Sequence, residues 1–198
     1  MLGNRHRRFL AALDARTGSV LNWRSPRIGT GAGEHVETLS FSGSRLYVGG
    51  SFVAVGGRHR YGIAALDPRT GVLLPWKAAH GDAEYAIFAI RGQVIVSGHT
   101  GTFAIDTGSG RTLPWPKEMA RPATSFAAVG PLLYIGGNLQ TGFSSVDGHP
   151  RNNLATFDLN TGHLTSWAPN IAPYVSVRTI VPSGDRVLVI GATTNSVG

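Results

Sequence analysis

The stretch LYVGGSFVAVGGRHRYGIAALDPRTGVLLPW, residues 46–76, carries glycine pairs, a D-x-x-T-G turn and a closing tryptophan in a fixed order. Apolar alternation places strands at VETLSFSG (36–43), RLYVGGSF (45–52), YGIAALD (61–67) and VLLPW (72–76), each bounded by turn residues. Together they predict a four-stranded antiparallel meander. In the turn the Asp67 side chain can accept backbone amides, Pro68 suits the second position of a type I turn, and Gly71 tolerates positive φ where the strand resumes. Gly49 and Gly50 leave no side chain inside a strand, which predicts a bulge or the close approach of a neighbouring backbone.

The same layout recurs along the chain. Asp14 and Trp23, Asp67 and Trp76, Asp106 and Trp115, and Asp158 and Trp167 are each nine residues apart. The turns read DARTG, DPRTG, DTGSG and DLNTG, and their last glycine always stands five residues before the tryptophan. Successive aspartates are 53, 39 and 52 residues apart, the spacing of propeller blades at about 40 to 50 residues. Residues 84–115 repeat the plan with a shortened middle hairpin and residues 123–167 with an extended one. At an offset of 91, Phe52 matches Phe143, Gly57 matches Gly148, Arg60 matches Arg151 and Asp67 matches Asp158. The expected fold is an all-β propeller of four-stranded antiparallel blades.

The start of the chain, GNRHRRFLAALDARTGSVLNW, holds only third and fourth strands of a repeat, and the finish, VRTIVPSGDRVLVIGATTNSVG, only first and second strands. The expectation is a single domain over 1–198, with blades at 35–77, 83–116 and 123–168 and a composite blade from 175–198 plus 5–23. Pairing the two ends would close a four-blade ring and remove its exposed edges. The rival is a fragment of a larger propeller, or half of an eight-blade ring formed by two chains.

Composition bounds the chemistry. A chain of 198 residues that is 42% hydrophobic and 15% charged, with 27 glycines and 11 prolines, is globular and rich in turns. It has no cysteine, so disulfides, thiol nucleophiles and zinc–cysteine sites are excluded. Phe9 to Leu13 gives five apolar residues before Asp14, short of the about 7 to 15 of a secretory leader. No signal peptide is therefore expected, nor a membrane span.

LYVGGSFVAVGGRHRYGIAALDPRTGVLLPW and LLYIGGNLQTGFSSVDGHPRNNLATFDLNTGHLTSWAP resemble the delta-sixty repeat propellers of bacteria. The shared features are G-G-x-F, a second glycine pair or D-G, R-x-x-[IL]-A and D-x-x-T-G-x-[LV]-x-x-W; the blade at 84–115 lacks the second glycine element. That resemblance implies a binding or scaffolding module of secreted or envelope-attached proteins, without shared catalytic residues. ALDARTGSVLNW is also similar to the tryptophan-docking motif of quinoprotein propellers, which are larger rings.

Site chemistry is sparse. The tryptophans could stack on a ligand ring, but their fixed place at a strand end points to packing between blades. GTGAGE (29–34) has the glycines of a phosphate loop, yet lies between two strands rather than between strand and helix. The seven histidines show no metal-ligand spacing. No metal or cofactor is expected.

Loops joining second to third strands, and fourth strand to next blade, share one propeller face. That face would carry Arg5, Arg7, Arg8, Arg24, Arg27, Arg58, Arg60, Lys77, Lys117, Arg121 and Arg151, eleven of the 18 basic residues. Its acids are Glu34, Asp82, Glu118 and Asp147, so the face accounts for the whole net charge of +7. The candidate ligand-binding residues are Arg5, His6, Arg7, Arg58, His59, Arg60 and Arg151, and the expected partner is an acidic polysaccharide or protein surface. Solvated loops are the plain alternative. Few loop aromatics are available to stack bases, which disfavours nucleic acid. The expected function is a non-enzymatic scaffold, against an enzyme at the channel mouth or a structural segment of a larger surface protein. An enzyme would bring His80, Asp82, Asp147 or His149 together in one pocket.

Overall fold

The computed structural model describes residues 9–81, 83, 85–114, 122–137, 144–146, 148–169, 171–172 and 175–193. Among these there are fifteen strands and no helix, so no helix is long and apolar enough to cross a membrane. The first repeat holds β1 (His35–Ser42), β2 (Arg45–Ser51), β3 (Ala54–Val55), β4 (Arg58–His59) and β5 (Ile63–Leu66). The second holds β6 (Ala86–Ile90), β7 (Gln93–Gly98) and β8 (Gly101–Asp106). The third holds β9 (Ser125–Val129), β10 (Leu132–Gly136), β11 (Ser145–Val146), β12 (His149–Pro150) and β13 (Leu154–Asp158). The chain then continues into β14 (Val175–Ser183) and β15 (Arg186–Thr193).

Strand order follows the expected meander: β1-β2-β5, β6-β7-β8, β9-β10-β13 and the hairpin β14-β15. The fourth segments, expected as full strands, each join through one bridge: Leu66 to Leu73, Ile105 to Thr112, and Phe157 to Leu164. In the first repeat the cause is local. Leu74 N–H still reaches the Ala65 carbonyl at 2.9 Å, but Pro75 has no amide to continue the ladder. Two small hairpins, β3–β4 and β11–β12, lie between second and third strands.

The chain divides into two compact units: residues 1–94 with 105–112, and 95–104 with 113–198. In the first, Val48, Ala64 and Leu66 pack with Leu10, Trp23, Ile28, Phe52 and Val55. Thr38 and Ser40 hydroxyls of β1 accept the Ile87 and Ala89 amides of β6, at 3.2 and 2.8 Å. The β1–β2 register slips between Val36 and Thr38, opposite Gly50 and Gly49. A Cβ on Gly49 would stand 2.7 Å from the Ala83 carbonyl oxygen, so bulge and close approach both occur there. In the second unit Ala127, Leu154, Val177 and Ile180 form the core, and Asn153 Nδ2 donates to the Val175 carbonyl at 3.0 Å, tying the third repeat to the start of β14.

Candidate binding grooves

The β3–β4 hairpin forms because Gly56 and Gly57 take φ of 58° and 74°, the paired left-handed conformation of a type I′ turn. It presents Arg58 and His59 to solvent. Arg60 follows the strand and turns inward: its amide donates to the Val53 carbonyl, and the residue is only 6% exposed. Its guanidinium donates to the carbonyls of His59, Leu74 and Pro75 at 2.8, 3.2 and 3.3 Å. Burial pushes this guanidinium below the usual arginine range, and the neighbouring Arg58 adds to the effect. Arg151, 8% exposed, repeats the arrangement with bonds of 2.7 and 2.8 Å to the Pro150 and Thr165 carbonyls. Arg60 and Arg151 thus clamp hairpin to fourth segment, whereas Arg58 and His59 face water. Arg5, His6 and Arg7 lie outside the described residues, as do Asp82, Asp147, Glu118, Lys117 and Arg121.

Beside each clamp lies a groove. One, of about 430 Å³, is bordered by Arg24, Pro26, Arg58, Val72, Leu73 and Pro75, with further contributions from neighbouring small residues. The other, of about 470 Å³, is lined by His149, Arg151, His163, Leu164, Thr165 and Ser166. Among the described residues, neither has a carboxylate in its wall.

The repeat residues take consistent places. Asp14, Asp67, Asp106 and Asp158 each use Oδ1 to accept two amides of their own turn, such as Thr17 at 2.7 Å and Thr70 at 2.8 Å. Hydrogen bonds from Thr17, Thr70 and Ser109 hold the carboxyls of Asp14, Asp67 and Asp106 below the usual range. Trp23 and Trp76 are buried; Trp76 Nε1 donates to the Asp106 carbonyl at 3.1 Å. Trp76 and Trp167 stand edge-on to Tyr47 and Tyr134, with centroids 5.2 and 5.3 Å apart. Trp115 lies outside the described residues.

GTGAGE is not free to cradle a phosphate. The Glu34 carboxylate already accepts the Thr30 and Gly31 amides within the loop, and the Val53 amide at 3.1 Å. Among the described residues, no three His, Asp or Glu side chains are grouped so as to hold a metal ion.

Three- and four-segment antiparallel sheets repeated with this turn spacing define a β-propeller protein. The sequence model of the family described as outer membrane protein assembly factor BamB matches residues 5–168, and the chain belongs to that family. The match supports the quinoprotein-type resemblance of the repeats. The computationally designed Ika4 protein shares the fold, with 15% identity and a TM-score of 0.57 over 82% of this chain and 89% of that one. So does an extracellular domain of a hybrid two component system from B. thetaiotaomicron, with 14% identity and a TM-score of 0.51 over 78% of this chain and 19% of that one. BamB from Moraxella catarrhalis is 23% identical with a TM-score of 0.47; the alignment covers 93% of this chain and 48% of that one, about half its length. No curated protein matches the chain.

Proposed function

We propose that this chain is a non-enzymatic scaffold of the bacterial cell envelope that docks an acidic protein surface through its basic loops. The carrying observation is that Arg24 and Arg58 are exposed beside one groove whose wall holds no carboxylate among the described residues. Family membership supports a protein partner and an envelope location, because the family is described as an outer membrane protein assembly factor. The delta-sixty-like spacing of G-G-x-F and D-x-x-T-G fits the same role. A closed ring belongs to this proposal, with the composite blade of 175–198 and 5–23 completing it.

Binding to an immobilised acidic protein tests the reading. Retention is expected at about 0.1 M salt and not at about 1 M, where the screening length falls from about 10 to about 3 Å. Replacing Arg24 and Arg58 with glutamate should also abolish it. Retention that survives both high salt and the double substitution would sink the electrostatic reading.

A further inference from the structure

The two grooves occupy the same place in two repeats. At the offset of 91, Arg58 corresponds to His149, Val72 to His163, Leu73 to Leu164 and Pro75 to Ser166. Each is built from the rising strand of the small hairpin and the segment that follows a D-x-x-T-G turn. A depression rebuilt by the same elements in separate units is a property of the repeat. Volumes of about 430 and 470 Å³ fall within the range of ligand clefts, about 300 to 1,000 Å³.

Charge and shape narrow the occupant. The Arg24 and Arg58 side chains make no hydrogen bond or ion pair among the described residues, and the buried Arg60 guanidinium is bonded to the Leu74 and Pro75 carbonyls of the segment that borders the groove. Arg58 and Arg60 repel one another, and an incoming anion would relieve that repulsion. The rest of the lining is largely apolar: Val72 is 61% exposed, and Leu73, Pro26 and Pro75 complete it. A heavily hydrated polysaccharide gains little from such a wall. A peptide side chain gains from both sides. The edge is a poor template for a full added strand, because Arg60 takes the Leu74 and Pro75 carbonyls and Pro75 offers no amide.

We propose that the two grooves are one recognition site, duplicated with the repeat, that receives a carboxylate side chain of an extended peptide, and that the first groove also takes its apolar neighbour. Arg58 and Arg24 hold the carboxylate in the first groove, and His149 and His163 flank it in the second, where the clamped Arg151 adds its charge from within the wall. This deepens the acidic-partner reading and rests on it.

The test is fluorescence anisotropy of a dye-labelled Gly-Leu-Glu-Leu-Gly peptide, with Gly-Leu-Gln-Leu-Gly as its uncharged twin. Affinity should fall about tenfold or more for the glutamine peptide and for Arg58→Glu, the loss of one charge-assisted contact. His149→Glu should weaken the remaining binding. Because Arg58 and His149 are exposed, matched circular dichroism and melting of the variants keeps the comparison clean. Equal binding of the two peptides overturns the proposal. Salt-sensitive binding that ignores Arg24→Glu, Arg58→Glu and His149→Glu overturns the grooves while leaving the basic face standing. Heparin binding that depends on Arg58, with no peptide binding, overturns the choice of a peptide. Failure of every acidic probe at low salt removes both readings together.

Discussion

At the residue scale, the recurrent D-x-x-[ST]-G is a self-contained acceptor site. In each copy the Asp carboxylate is met by amides two and three residues on, and for Asp14, Asp67 and Asp106 the ionised form is favoured in the folded chain. A carboxyl held below its unfolded value contributes stability that is present above that value, about pH 3.9, and is lost as pH falls through the folded value. Asp67→Asn is therefore expected to lower Tm at pH 7, with the difference from wild type narrowing as pH falls below about 3.9. Thermal melts across pH 3 to 7 check this; a constant difference at all pH values would refute the ionic origin. The turn glycine has a second task. A Cβ on Gly71 would strike the Arg24 carbonyl, and one on Gly110 the Lys77 carbonyl, so these two turns seat against the residue after the preceding tryptophan. In these two copies the contact ties aspartate, glycine and tryptophan into one unit, and their fixed spacing was legible without coordinates.

At the element scale, long alternating runs were readable and short ones were not. The strands expected at 36–43 and 45–52 fall at His35–Ser42 and Arg45–Ser51, because each run is long enough to show a period of two. β3 and β4 have two residues each, too few for any period, and only the Gly56-Gly57 pair signals the hairpin. That omission blurred the candidate site. R-H-R at 58–60 looks like one cationic cluster, but β4 ends at His59 and the chain folds back at Arg60, which separates an exposed arginine from a buried one. The two should respond differently. Arg60→Leu leaves the Leu74 and Pro75 carbonyls without their donor and is expected to cost about 1 to 3 kcal/mol. Arg58→Leu should stay within about 0.5 kcal/mol of wild type. Urea unfolding of both variants measures the contrast; equal losses would mean that the Arg60 clamp contributes nothing.

At the scale of the whole molecule, the repeat count is legible from spacing, whereas closure depends on residues far apart in sequence and leaves no local signal. The register of a closing strand can still be written down. In the first blade Leu46, Tyr47, Val48 and Gly49 face Leu66, Ala65, Ala64 and Ile63. Carried through the repeat, Val187, Leu188, Val189 and Ile190 of β15 would face Leu13, Ala12, Ala11 and Leu10. Among the described residues β15 pairs with β14 alone, and Leu188 and Ile190 are 57% and 60% exposed. An edge this apolar invites a partner strand. The proposed closed ring predicts a monomer near 20.9 kDa by light scattering, with one cooperative melting transition. It also predicts slow hydrogen exchange at β15 amides that point away from β14, since a paired edge is protected and a free one is not. A dimer with the same protection would place the closing strand on a second copy. Fast exchange along β15 in a monomer would mean that the edge stays open and that the cis pairing of the two ends is wrong.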